Sequence, residues 1–290
     1  MSSLVFLKKL GQKYIWQRIF YERLTEPLHL NLISIFIALI GSFRQKVAFD
    51  LVIRQQHAYA LLNAADYANS LGYKKVTVIE FGVAAGAGLL NLQNIADRVS
   101  KVTGVNFDLY GFDSGTGMPP PLSYKDHPEL YQAGDFPMDS SLLSGKLEKN
   151  TRLILGPLAE TVRGFMEKNF AEAPIGFISI DVDYYSSTVD ALKILEMKPD
   201  NFLPRCTIYL DDLEDMSHNS RCGEQAAIAE FAAANLMRPI EKHPFLSGYR
   251  IFRNARWIEH IYQCHILDHP VRNLLDGGGR KKIVLANPYL

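Results

Sequence analysis

Short apolar runs alternate with stretches of helical period through the middle of this chain. VTVIEF, FDLYGF, TRLIL, GFISI and CTIYL are rich in β-branched and aromatic residues and predict strands at Val76 to Phe81, Phe107 to Phe112, Thr151 to Leu155, Gly176 to Ile180 and Cys206 to Leu210. Helical stretches fill most of the intervals between them, and that alternation predicts a mostly parallel sheet covered on both faces. Tyr249 to Arg253 and Lys282 to Leu285 read as further strands. Gly277, Gly278 and Gly279 read as a flexible loop.

The texture before Lys74 is different. Apolar and aromatic positions recur at three- and four-residue steps in KKLGQKYIWQRIFYERL and in AFDLVIRQQHAYALLNAADYANSLG, so the first seventy residues read as helical, punctuated by Pro27 and Gly41. The chain divides on this basis into a helical extension over 1–70, a lid or oligomer contact, then a catalytic unit over 71–253 and a C-terminal extension over 254–290. Leu30 to Phe43, LNLISIFIALIGSF, is uncharged and apolar but shorter than the roughly 18 residues of a bilayer span. It is expected to be a buried helix or an oligomer contact, with an in-plane membrane anchor through residues 28–43 as the other reading.

Bulk properties narrow the function classes. The 290 residues suffice for one large core, and a formal net charge of zero provides no field that would gather nucleic acid. Charge is uneven locally: residues 1–27 hold five Lys or Arg against two Glu. Cys206, Cys222 and Cys264 are widely spaced, form no CxxC or zinc pattern, and fit a reducing cytoplasm.

Three groupings of residues point to chemistry. In VTVIEFGVAAGAG a strand runs into a turn containing Gly82, Gly86 and Gly88 and then into a helix. Glycines there allow a tight turn and close approach of a ligand, exposed helix amides suit a polar or anionic group, and Glu80 can accept hydrogen bonds from an amine or hydroxyl. An adenosine-like ligand fits this turn. The spacing G-x-x-x-G-x-G is shared with short-chain dehydrogenases. Against a nicotinamide-dependent oxidoreductase stands the lack of any tyrosine followed four positions later by lysine.

Asp113 ends the second strand and is placed to take both hydroxyls of a ribose; an Asx turn is its alternative role. The third grouping is acidic. Asp181 with Asp183, and Asp211 with Asp212, follow successive strands and so reach the same sheet edge, where converging oxygens suit a hard divalent cation such as Mg²⁺. The long segment from Asp113 to Met138, with Pro119, Pro120 and Pro121, is expected to lie over that edge. His218 and His127 are candidate bases or substrate contacts, and Tyr184 and Tyr185 candidate pocket walls.

Taken in order, E-x-G-V-x-x-G at Glu80 to Gly86, D-S-x-x-G-M-P at Asp113 to Pro119, D-x-D-x-Y-x-S-T at Asp181 to Thr188 and the D-D pair at Asp211 and Asp212 resemble the macrocin O-methyltransferase family. The resemblance covers roughly Lys74 to Arg253. It implies an α/β class I methyltransferase fold, Rossmann-like and with seven mostly parallel strands, and an enzyme that uses S-adenosylmethionine and Mg²⁺ to methylate hydroxyls of small molecules such as natural-product sugars. Glu80, Gly82, Gly86 and Gly88 would then hold the methionine end of the cofactor, and Asp113 with Ser114 the ribose. Asp181 or Asp183, the former preferred, would join Asp211 and Asp212 on the metal, and one of that pair would serve as base. Gly115 and Thr116 stand where the family usually has Phe and Glu, and Pro199 to Arg205 replaces its Gly-Gly approach to the fifth strand. A homo-oligomer is expected. A noncatalytic scaffold that keeps only cofactor binding is the third reading of the chain.

Overall fold

A computed structural model describes residue 16 and residues 18–214, 219–274 and 284–288. In chain order, a π-helical turn at Arg18–Arg23 precedes α1 (Leu28–Ile40), α2 (Phe43–Ala48) and α3 (Gln55–Ser70). Then come β1 (Lys75–Phe81), α4 (Ala87–Thr103), β2 (Asn106–Asp113), α5 (Ser140–Ser144), β3 (Thr151–Leu155), α6 (Leu158–Met166), β4 (Ile175–Ile180) and α7 (Tyr185–Leu192). The remainder holds β5 (Phe202–Leu210), α8 (Gly223–Ala234), β6 (Ile240–Lys242), α9 (Leu246–Tyr249) and β7 (Ile261–His265).

The strands form one seven-stranded sheet in the order β3-β2-β1-β4-β5-β7-β6. β1 to β5 are mutually parallel, while β7 runs antiparallel to both β5 and β6. This is the class I methyltransferase arrangement. Alternation along the strands separates two cores. Val76, Val78, Leu109 and Phe177 face α3 and α4, whereas Ile79, Phe81, Phe112, Ile178 and Ile208 face α6 and α7. The α3 helix contributes Ala58, Leu61, Ala64 and Ala65 to the first core, all nearly free of solvent. The sheet therefore draws its cover from before residue 71 and a strand from beyond residue 253.

Register fixes where the site must be. Phe81 is level with Phe112 and Ile180, and Ile180 with Leu210. The four loops that leave β1, β2, β4 and β5 consequently emerge at one edge.

Five expected strands are present, with β5 starting at Phe202 rather than Cys206. The expected strand over Tyr249 to Arg253 is absent: Tyr249 ends α9 and residues 251–253 form a bend. Its apolar and charged residues are used in tertiary contacts instead. Phe252 is buried under the Arg23 guanidinium, 3.7 Å from its ring centroid, and Arg250 reaches back to the Val47 carbonyl and to Asp50. Lys282, Ile283 and Gly277 to Gly279 lie outside the described residues, and Val284 and Leu285 are exposed and not in a strand. β6 and β7, which the pattern missed, close the sheet in place of these two. Pro27 and Gly41 do end helical elements, but α1 is not buried: most of its apolar side chains face solvent, because no described element lies over them. Among the described residues no helix is long and apolar enough to cross a membrane.

Candidate functional site

The turn after β1 is built by close contacts between backbones. Gly82, Gly86 and Ala84 all have positive φ, a conformation that favours glycine. A Cβ at Gly82 would sit 1.7 Å from the Asp181 carbonyl oxygen, and one at Gly86 would meet Leu143 at 2.4 Å. The Gly82 clash ties the first turn directly to the loop leaving β4. At Gly88, in the first turn of α4, the obstructing atom would be Glu80 Oε1 at 1.9 Å. The three glycines thus also clear space for the protein's own atoms. No side chain caps α4, which leaves its first amides pointing toward this edge.

Glu80 is almost completely buried and its Oε2 has no hydrogen-bond partner. Burial pushes its carboxyl up to about 8; Asp181, Asp113 and Asp211 push in the same direction and Arg54 opposes them. A buried carboxyl with one oxygen unpartnered, against an uncapped helix start, suits a cationic or hydrogen-bond-donating group.

Asp113 is fully engaged by backbone. Its Oδ2 accepts from the amides of Val83 (3.0 Å) and Ala84 (2.8 Å), and its Oδ1 from Gly115 (2.7 Å). The residue therefore pins the glycine turn to the start of the next loop, and the Asx turn expected as its alternative is formed. Each oxygen retains lone-pair capacity for a further donor. Ser114 stabilises the same loop, its Oγ donating to the Gly117 carbonyl at 2.6 Å.

The acidic group assembles from two strand ends. Carboxylate oxygens of Asp181, Asp211 and Asp212 all lie within 4.8 Å of one another. Burial raises the Asp181 and Asp212 carboxyls above the usual range, and repulsion from neighbouring aspartates, Asp211 and Asp183 among them, adds to it. The buried Tyr209 hydroxyl donates to Asp211 Oδ1 at 2.5 Å, and the Asp183 amide donates to Asp212 Oδ2 at 2.9 Å. These bonds fix two of the three carboxylates. Asp183 itself is in the left-handed region at φ 57° and falls outside the group of three. A cluster of hard oxygen donors crowded together in this way fits a divalent cation, which would relieve the repulsion among them.

Two residues at this edge escaped the sequence reading. Glu224, at the start of α8, is completely buried; its Oε2 accepts from the Asp212 amide at 3.1 Å and its Oε1 has no partner. An acid in the first turn of a helix reads as a favourable dipole partner, so nothing local marked it. Arg54, at the N-terminus of α3 with φ 51°, stands close enough for its charge to lower the pKa of Glu80, Asp181 and Tyr209. An arginine ahead of an amphipathic helix reads as solvent-facing, and only the fold brings it to this edge.

The loop from Asp113 to Met138 is anchored across the edge. Asp126 is completely buried and accepts from the amides of Leu122 (2.7 Å) and Ser186 (2.8 Å), the latter in the first turn of α7. Lys125 pairs with Glu230 on α8 at 2.6 Å. His127 is buried in the loop with Nδ1 3.1 Å from Glu129. Tyr184 is buried, and the Tyr185 hydroxyl donates to Glu230. His218 lies outside the described residues.

No family model matches the chain, and no curated protein matches it. Solved structures similar to it include the calicheamicin methyltransferase CalS11, at 17% identity and a TM-score of 0.49, with 71% of this chain and 77% of that one covered. The O-methyltransferase NovP aligns at 15% identity and a TM-score of 0.47 over 73% of this chain and 79% of that one. The cmcI-D160 Mg-SAM complex aligns at 13% identity and a TM-score of 0.37 over 70% of each chain.

Proposed function

We propose that this protein is an S-adenosylmethionine-dependent, Mg²⁺-dependent O-methyltransferase of the macrocin O-methyltransferase kind, acting on a hydroxylated small molecule such as a sugar of a natural product. The observation that carries the reading is the meeting, at one sheet edge, of a glycine turn backed by the unpartnered Glu80 and a three-carboxylate cluster. Hydride transfer of the short-chain dehydrogenase kind would call instead for the tyrosine and lysine pair that the sequence lacks.

In this reading Glu80 accepts from the methionine ammonium of the cofactor, and the first amides of α4 face its carboxylate. Asp113 and Ser114 receive the ribose beside the turn they already hold. Asp181, Asp211 and Asp212 would hold the metal. When bound, the sulfonium brings an already activated methyl group, and the cation lowers the pKa of the acceptor hydroxyl. The chain's own tasks are then to align the acceptor oxygen and to take its proton. Tyr209 and the Asp183 amide keep Asp211 and Asp212 in place, and a carboxylate of the Asp181 and Asp183 pair accepts the proton. The 113–138 loop shields the edge from water.

Titration calorimetry separates the readings. Binding of S-adenosylmethionine but not NAD supports the proposal, and failure to bind the former at millimolar concentration sinks it. Methyl transfer to a panel of labelled glycosides that is abolished by chelator and restored by Mg²⁺ supports the metal; full activity in chelator removes it. A scaffold is indicated if Asp211→Ala with Asp212→Ala leaves biological function intact.

A further inference from the structure

The outward side of α1 bears an apolar surface that no described element covers. Leu28, Leu32, Ile35, Phe36, Leu39 and Ile40, with Ile33 at the margin, are 43–77% exposed. At 100° per residue they occupy one continuous side of the helix. Its polar residues Asn31 and Ser34 turn the other way: Asn31 Nδ2 donates to the Arg23 carbonyl at 2.8 Å, and Ser34 Oγ donates to the Leu30 carbonyl and accepts from Arg23 at 3.4 Å. Among the polar residues of α1 only His29 is on the exposed side.

This orientation is held firmly. Arg23 donates to the Phe49 and Asp50 carbonyls at 2.8 and 3.1 Å, and Glu26 Oε1 accepts from the amides of Arg253 and Asn254 at 2.5 and 2.7 Å. The hairpin formed by the π-helical turn and α1 is thus bonded to the body with its apolar side outward. Phe20, Tyr21 and Leu24, in and just after the π-helical turn, are exposed as well.

We infer that this face is the interface with a second copy of the chain, α1 packing against α1 across a two-fold axis. Area and composition both favour that occupant. The seven α1 side chains present on the order of 800 Å², which is what one partner contributes to a standard stable interface. Homodimer interfaces resemble a core cut in half, apolar and poor in charge, and the exposed side of α1 matches that description. A lipid surface would be met by cations beside the apolar side chains, yet no Lys or Arg lies between Leu24 and Phe43.

The test is sedimentation velocity with light scattering on the full chain at tens of micromolar. The expected mass is twice 32.7 kDa. Phe36→Glu combined with Leu39→Glu is expected to give a monomer that still unfolds cooperatively. Leu39→Ala, an exposed truncation that the monomer tolerates, is expected to raise the dimer dissociation constant by about tenfold or more. A monomeric wild type overturns the inference, and its flotation with phosphatidylglycerol vesicles would assign the face to lipid. A dimer left intact by both variants also overturns it, because the interface would then lie elsewhere.

Discussion

Replacing Glu80 by glutamine tests the electrostatics of the site while keeping its shape. The carboxyl is 2% exposed, and burial moves it from 4.5 to about 8. In the unfolded chain it ionises near its ordinary value, whereas the folded protein holds the proton until about pH 8. Between those values the folded state binds more protons than the unfolded state, so this group makes the wild type less stable as pH rises. Glutamine removes that slope. At about 1.4 kcal/mol per unit of pKa, the variant is expected to gain on the wild type by about 1 kcal/mol at pH 5 and about 4 kcal/mol at pH 8, measured from strongly acidic solution. Any cost of burying the amide is the same at every pH and leaves the trend untouched. Urea unfolding of both proteins, free of cofactor and metal, at pH 5, 6.5 and 8 provides the measurement. A stability difference that stays flat over this range refutes the account of Glu80 as a buried, unpartnered acid.

Other residues allow equally direct checks. Gly88→Ala places a Cβ against Glu80 Oε1 and is expected to weaken S-adenosylmethionine binding at least tenfold by calorimetry while the thermal midpoint moves little, since only a side chain must shift. Asp212→Asn is expected to abolish calorimetric Mg²⁺ binding yet raise stability at neutral pH, because the wild-type carboxyl, raised to about 9, has to take up a proton on folding there and the amide does not; unchanged Mg²⁺ affinity would count against the cluster. Arg250→Ala strands the buried Asp50, which Arg250 meets at 2.7 Å, and is expected to cost about 3–5 kcal/mol in urea unfolding. His57, buried against Phe177 and Tyr209 with its pKa lowered to about 3 by burial first and Arg54 second, must take up a proton on unfolding below its ordinary 6.5. His57→Phe should therefore become more stable relative to wild type by about 3 kcal/mol on going from pH 7 to pH 4.5.

The parallel strands were legible because each is a short run rich in β-branched or aromatic residues between helical stretches, and β1, β4 and β5 are buried almost throughout. β7 was not: Ile261–His265, IYQCH, has a polar centre, and its strand character comes from pairing with β5. The Tyr249 to Arg253 segment shows the reverse error: Phe252 is buried beneath Arg23 and Arg250 is bonded to Asp50, with no ladder formed. At the site, Asp181, Asp211 and Asp212 were readable because adjacent strand ends of a parallel sheet share an edge. Glu224 and Arg54 were not, since helices far apart in sequence deliver them.

The dependence of Arg54 on its surroundings bears on how far this chain is modular. Phe49 and Asp50, just ahead of Arg54, are held by Arg23 and Arg250, and the next helix is a wall of the first core. A protein shortened to begin where the strands begin would lose the cation that offsets Glu80 and Asp181, and would expose one face of its sheet. Grafting this sheet edge onto another scaffold, or trimming the chain to a minimal unit, must therefore carry the N-terminal helices along.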